Sequence, residues 1–331
     1  MIKGKKLFRG IAVGVIAFVA LAVLMLAGNY WIGKISLSKN IVSKENQGEY
    51  ISHGGKAYVY RDNLINILCL GIDKEEQMAL RNDVEDSIGQ ADAIFLVSLD
   101  TENKEVRILA IPRDTMVDLQ RYDGNGNYWG RGRGQLTLQY AYADGLELSA
   151  ELTAGQVSRL LNNIPINGYA AINVFSLWNL NAAIGGVDMY MDEDYTMFNP
   201  AFVQGTTVHL DENLLENYIR ERDTSESGTA YARIHRLKKY ILGFYEKAKE
   251  VLKDDITLPY RALKALEKDM VTSITAKDVL YLVSEVLECN VSEADMYTLP
   301  GNQVKGDEFE EFHIDQNAVN ELLIQLFYEE M

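Results

Sequence analysis

Residues 10–28 (GIAVGVIAFVALAVLMLAG) carry no charged side chain and almost no polarity. Nineteen residues at about 1.5 Å rise span a hydrocarbon layer roughly 30 Å thick. Lys3, Lys5, Lys6 and Arg9 precede the run, and Asn29, Tyr30, Trp31 and Lys34 come after it, a basic flank on one side and an interfacial aromatic belt on the other. A cleaved signal peptide would have a shorter apolar region and a small-x-small site, which Ala27-Gly28-Asn29-Tyr30 supplies poorly. A buried core helix is the other alternative, and it leaves the basic flank without a role. The expectation is an uncleaved anchor over 10–28 with residues 1–9 cytoplasmic and the remainder outside the membrane, although Lys34, Lys39 and Lys44 oppose that bias. The next candidate span, 170–191, is interrupted by Asn173, Asn179, Asn181 and Asp188, so one pass is expected.

Beyond the anchor the chain has the composition of a folded body. Hydrophobic residues make up 47% and charged residues 24% of the 331 residues, which excludes a disordered chain and a multi-span protein. A formal net charge of -16 repels a phosphate backbone, so no nucleic-acid partner is expected. Two cysteines exclude a disulfide framework and a thiolate zinc site.

Residues 29–62 mix charge, Ser, Asn and Gly without periodicity and read as a spacer, with ordered structure from about Leu64. The apolar runs 64–71, 93–99 and 106–111 read as buried strands, the last two joined by the polar link DTENKE as a hairpin. Helical periodicity appears over 136–144, 153–162, 175–184, 212–222, 232–253, 261–268, 276–287 and 316–328. Such alternation predicts one mixed α/β domain over 63–331, with helices covering a central sheet.

The chain has no P-loop, nucleophile elbow, HExxH or CxxC motif. Residues 123–134 (DGNGNYWGRGRG) resemble a calcium loop superficially, but Tyr128 and Gly134 occupy the positions of its Gly and bidentate Glu; a surface loop is expected. His53, His209, His235 and His313 are scattered without metal-ligand spacing. Cys69 reads as an apolar filler, with a reactive thiol or a bridge to Cys289 as alternatives.

Two features remain. Asp73 and Asp92 flank predicted strands and Arg113-Asp114 closes the third, where α/β sheets present ligand sites; ordinary turn carboxylates are the alternative. Arg220, Arg222, Arg233, Arg236, Lys238 and Lys239 gather six cations, with Arg233 and Arg236 one helical turn apart and the loop 223–228 able to fold both sets together. Arginine matches phosphate oxygens bidentately; a solvated helix face is the alternative. Together they suggest a divalent cation shared with a pyrophosphate.

The ordered segments NILCLGID (66–73), ADAIFLVSLD (91–100), ILAIPRDTMVDL (108–119), LNAAIGGVDMYM (180–191), NYIRERD (217–223) and ARIHRLKKYI (232–241) resemble the LytR-CpsA-Psr family, most strongly over 64–250. The resemblance implies an α-β-α sandwich with a central mixed sheet, an apolar tunnel for a polyprenyl lipid, and transfer of a teichoic-acid-like or capsular glycopolymer from a polyprenyl-pyrophosphate carrier to peptidoglycan, with Mg²⁺, outside the membrane of a Gram-positive type envelope. By that resemblance Asp73 and Asp92 bind the metal, Arg113, Arg220, Arg222, Arg233 and Arg236 contact the pyrophosphate, and Asp114 orients Arg113 or its loop. The run 170–187, with Val174, Phe175, Leu177, Trp178 and Ile184, is the candidate tunnel wall, plain core being the alternative. Three positions depart from the family's pattern: Gln90 stands where an arginine is usual, Ala230 where an aspartate is, and Leu237 where a glutamine is. The departures keep two further readings open, a non-catalytic lipid-pyrophosphate binder and a lipid pyrophosphatase.

Overall fold

The computed structural model describes residues 50–331 except 75–76, 81–87, 124–125, 220, 222–228, 256 and 308, and gives no side-chain detail for 175 and 229–232. The expected anchor and its flanks lie outside the described residues; among the described residues no helix is long and apolar enough to cross a membrane.

Residues 50–60, expected as spacer, form a hairpin instead. β1 (Tyr50–His53) pairs antiparallel with β2 (Lys56–Tyr60) across Gly54 and Gly55, at φ 59° and 77°. A two-residue turn with both central residues left-handed matches strand twist, and glycine adopts it without a Cβ clash. The C-terminal strand Tyr328–Glu330 adds to β2, so this hairpin belongs to the folded body.

The three expected strands are present as β3 (Leu64–Asp73), β4 (Gln90–Asp100) and β5 (Glu105–Ala110), successive antiparallel neighbours. Asp100 and its neighbours make the β4–β5 turn compact: its Oδ1 accepts from the Asn103 amide at 2.9 Å and from Asn63 Nδ2 at 2.6 Å. Of residues 123–134, expected as a surface loop, 128–134 are strand: β6 (Met116–Tyr122) and β7 (Tyr128–Gln135) form an antiparallel hairpin. β8 (Gly168–Asn173) pairs parallel with β3. With the short strands Met270–Thr272 beside β8 and Met296–Thr298 parallel to β5, a six-stranded mixed sheet results.

Both sheet faces are covered, which is why its strands read as continuous apolar runs rather than alternating ones. One face packs Leu68, Leu70, Ile94 and Leu96 against Ala150, Ala154 and Val157 of the helix Glu147–Leu160. The other packs Ile65, Ile67 and Phe95 against Tyr281 of the helix Ala276–Leu287 and Ile241 of the long helix Thr229–Asp254. We call the latter α1 and the preceding helix, Glu212–Ile219, its leader. The α-β-α arrangement expected from the sequence is therefore observed. A satellite core of Val187, Met189, Tyr195, Phe202, Leu215 and Tyr218 lies under the leader helix.

The run 170–187 is not one helix. It breaks into β8, a single turn at Val174–Ser176, the helix Leu177–Ala183 and the start of strand Val187–Tyr190. Paired glycines 185 and 186, both at φ 81°, end that helix where a side chain would be strained.

Candidate active site

A β-bulge organises the site. Along β3 and β4, Gly71 pairs with Ala93 while the next residue, Ile72, pairs with Ala91, leaving Asp92 as the extra residue. A bulge re-aims a side chain out of the regular alternation, and Asp92 meets two arginines. Its Oδ1 accepts from Arg113 Nη1; its Oδ2 lies 3.7 Å from Arg233 Nη1, and Arg233 Nη2 also donates to the Asp92 carbonyl at 3.3 Å. Asp73 ends β3 opposite Gln90. Gly89, at φ 80°, leads into β4 where a Cβ would fall 2.8 Å from Ile72 Cγ2, so this entry requires glycine.

Arg113 follows β5 in a turn closed by Thr115 N donating to Pro112 O at 3.1 Å. Buried Asp114 lies beside it: Asp114 Oδ1 is 3.5 Å from Arg113 Nε and accepts from Gln135 Nε2 at 3.0 Å. Gln135 in turn donates to the Glu310 carbonyl at 2.7 Å. Asp114 is thus held from behind by the end of β7.

Beside this group opens a cleft with about 170 Å³ of room, lined by Asp73, Asp92 and Arg233 together with Cys69, Gly71, Phe95, Ile172, Val174, Leu177, Ile219, Leu237, Tyr240 and Ile241. The charges gather at one end for reasons of periodicity. On β3, residues 69, 71 and 73 share a face, the carboxylate last. On α1, residues 233, 237, 240 and 241 share a stripe, with the arginine nearest the helix start. The cleft is charged where strand ends and helix start meet, and apolar beyond. A second, much smaller cavity of about 30 Å³ shares Asp92, Phe95, Arg233 and Leu237 with the first and is bounded also by Arg113, Asp114, Gln303 and Phe312. Burial pushes the Cys69 thiol up to about 11, and both cysteines are free.

Of the residues singled out in the sequence, Asp73, Asp92, Arg113, Asp114 and Arg233 come together, and Val174 and Leu177 line the cleft. Arg220, Arg222 and the Phe175 side chain lie outside the described residues. Trp178 and Ile184 belong to the satellite core instead. Arg236 departs from expectation most clearly. It is 1% exposed, and its Nε donates to the Tyr218 carbonyl at 2.7 Å while Nη2 donates to the Glu221 carbonyl. Its guanidinium lies over Phe198 and Tyr195, at 4.4 and 5.5 Å from the ring centroids, and burial lowers its pKa. Three residues leave it about 60° round the helix from Arg233, enough to face the leader helix. Ile172, within the run 170–187 read as a wall, also lines the cleft. Sequence reading missed Cys69, Phe95, Ile219, Tyr240 and Ile241 as lining; stepping by helical period from Arg233 would have found those on α1.

Asp73 and Asp92 are hard oxygen donors at one end of one cleft. Among the described residues no cluster of three or more His, Cys, Asp or Glu could hold a metal ion. Two carboxylates suit Mg²⁺ only where phosphate oxygens and water complete its shell, so the donor set fits that cation in the company of a phosphorylated ligand.

This fold and site define a protein of the LytR_cpsA_psr family: the family's sequence model matches residues 32–327, and the chain belongs to it. Among curated relatives it is 28% identical over 282 residues to the polyisoprenyl-teichoic acid–peptidoglycan teichoic acid transferase TagU of Enterococcus faecalis, covering 84% of this chain and 82% of that one. It is 24% identical over 244 residues to TagU of Bacillus anthracis, covering 74% and 71%. Solved structures share the fold: gbs0355 from Streptococcus agalactiae with TM-score 0.62 at 20% identity over 80% of this chain and 86% of that one, and TagT bound to LIIa-WTA with TM-score 0.59 at 19% identity over 80% and 89%.

Proposed function

We propose that the protein is a Mg²⁺-dependent phosphotransferase that moves a glycopolymer from a polyprenyl-pyrophosphate carrier onto peptidoglycan. The observation that carries this reading is one cleft joining Asp73, Asp92 and Arg233 to an apolar lining, since a lipid pyrophosphate needs both chemistries side by side. The named activity of the TagU relatives is of the same kind. The anchor over 10–28 would hold the body at the outer face of the membrane, within reach of lipid and wall.

In this reading an acceptor hydroxyl attacks the phosphorus that bears the sugar. The bond from that phosphorus to the bridging oxygen breaks, polyprenyl phosphate leaves, and the hydroxyl proton passes to solvent. Arg113 and Arg233 turn from Asp92 to the phosphate oxygens and stabilise charge developing there. Asp114 keeps Arg113 aimed, and the apolar lining excludes water and takes the lipid. Asp73 and Asp92 would hold Mg²⁺, which supplies charge neutralisation at the phosphates.

The binding-protein reading is favoured by one observation: Gln90, directly across from Asp73, brings a neutral amide where a cation is usual in the family. Both readings are separated by incubating the full chain in detergent with a polyprenyl-pyrophosphate oligosaccharide and peptidoglycan oligomers. Mg²⁺-dependent product that disappears with chelator supports transfer. Tight donor binding without product, in wild type and in Gln90→Arg, supports a binder, and release of inorganic or lipid phosphate with water as acceptor supports a pyrophosphatase. External protease should remove the body from intact spheroplasts; protection of the body alongside a digested external control would refute the topology.

A further inference from the structure

We propose that the outward face of the β6–β7 hairpin is a track that holds the polymer portion of the donor through its phosphodiesters. This rests on the transfer reading. The hairpin is two-faced by construction. Inward, Leu119 is buried and Arg121 lies over the Tyr142 ring at 5.2 Å. A Cβ at Gly132 would fall 2.7 Å from Arg121 Nη2, and one at Gly134 would fall 2.6 Å from Leu119 Cδ1. The alternate glycines of β7 are therefore set by close packing on the inner side.

Arg131 and Arg133, which alternate with these glycines, face out and are exposed. Trp129, the extra residue of the bulge before them, is 77% exposed. Across the ladder Arg131 faces Gln120 and Arg133 faces Asp118. The Arg133–Asp118 pair is 3.5 Å apart with both side chains more than half exposed, so it holds Arg133 weakly against a better anion. The outward face carries Arg131 and Arg133 against Asp118 in a chain of net charge -16, a local reversal that draws anions to this element. Planar guanidinium forks match phosphodiester oxygens, and the exposed indole offers an apolar face to the C–H side of a sugar ring.

Continuity with the site selects the occupant. Gln135, next on the same side of β7 after Arg133, holds Asp114, which lies beside Arg113. The stripe Arg131, Arg133, Gln135 thus runs about 14 Å along the strand, at roughly 3.4 Å per residue, away from the proposed pyrophosphate position, with Trp129, the extra residue of a bulge opposite Arg121 and Tyr122, at its far end. A polymer attached to that pyrophosphate leaves along such a track. A membrane surface, the other partner that Trp and Arg suit, would engage the tip rather than a strand leading to the site.

The test uses the full chain in detergent with lipid-free poly(glycerol phosphate), neutral dextran of equal length and anionic phospholipid vesicles as probes. Wild type should bind poly(glycerol phosphate) with an affinity that falls as salt rises, and should not bind dextran. Arg131→Ala with Arg133→Ala should weaken that binding about tenfold, and Trp129→Ala should weaken it less. Transfer from a donor carrying only a neutral disaccharide should be unchanged in the double variant. Unchanged polymer affinity in the double variant overturns the proposal, as does equal loss of turnover on the short donor, or loss of vesicle binding alone, which would mark a membrane contact. If wild type transfers nothing yet polymer binding depends on Arg131 and Arg133, the transfer reading fails and the polymer track stands.

Discussion

Asp92 and Arg113 stand 21 positions apart in the chain and are joined in space by an ion pair whose acceptor is the extra residue of a bulge. Arg233 takes the other carboxylate oxygen. The two arginines are therefore held ready by the same group that the proposed reaction assigns to a cation. An anionic ligand must compete with Asp92 for them.

Asp92→Asn keeps the shape and removes the charge. Pyrophosphate-analogue binding measured without Mg²⁺ should tighten by about fivefold, since a partly exposed ion pair of about 1 kcal/mol no longer competes. Mg²⁺-dependent turnover should fall by about a hundredfold or more. Weaker analogue binding together with undiminished turnover would contradict the assignment.

Arg233→Ala and Arg236→Ala should fail differently. The first should weaken a lipid-pyrophosphate analogue about tenfold to a hundredfold, with Arg233→Lys recovering part, and leave the melting temperature nearly unchanged. Arg236→Ala leaves the Tyr218 and Glu221 carbonyls without their donor and removes the contact over Phe198. It should cost about 2–4 kcal/mol of stability while the molecules still folded bind the analogue normally. Calorimetry paired with a binding titration checks both.

Leu177 lines the apolar part of the cleft. Leu177→Trp should lower affinity for a long polyprenyl chain while leaving a short-chain pyrophosphate analogue within about twofold, because the added ring occupies lipid space and not the charged end. Equal loss for both analogues would mean that the lipid lies elsewhere.

Cys69 supplies the pH dependence. Burial raises its thiol from 9.0 to about 11, so at pH 8 its thiolate fraction is about a hundredfold below that of an ordinary cysteine. Iodoacetamide labelling followed by mass spectrometry should be correspondingly slow and should slow further with lipid bound. The same shift sets a sign for stability: the raised thiol adds no pH dependence below pH 9, and stability declines as pH rises from 9 towards 11, where the unfolded chain ionises first. Cys69→Ser should remove that alkaline component.

Much of the sheet is legible in the sequence because its strands are buried on both faces. The three apolar runs at 64–111 announce themselves, and the polar link between the last two specifies a hairpin, with Asp100↔Glu105 the final pair. Helix Ala276–Leu287 matches its periodic segment residue for residue, capped by Thr275 and Asp278. The hairpins β1–β2 and β6–β7 escape a sequence reading because glycine and charge look like loop until the pairing strand is known. Within the run 170–187 the helical period over 175–184 matches the turn Val174–Ser176 and the helix Leu177–Ala183, whereas strand β8 escapes because a short apolar run does not separate a buried strand from a helix.

By itself the sequence determined the α/β class and the main strands and singled out Asp73, Asp92, Arg113, Asp114 and Arg233, which the fold gathers together, because burial periodicity and side-chain chemistry are local properties. Only the tertiary structure decided that Asp92 would be the bulged residue, that Arg233 would meet it, and that Arg236 would be buried under Phe198. Those outcomes depend on ladder register and on how far α1 is rotated against its neighbours. Register and rotation are set by packing between segments far apart in the chain, and no local stretch of sequence contains them.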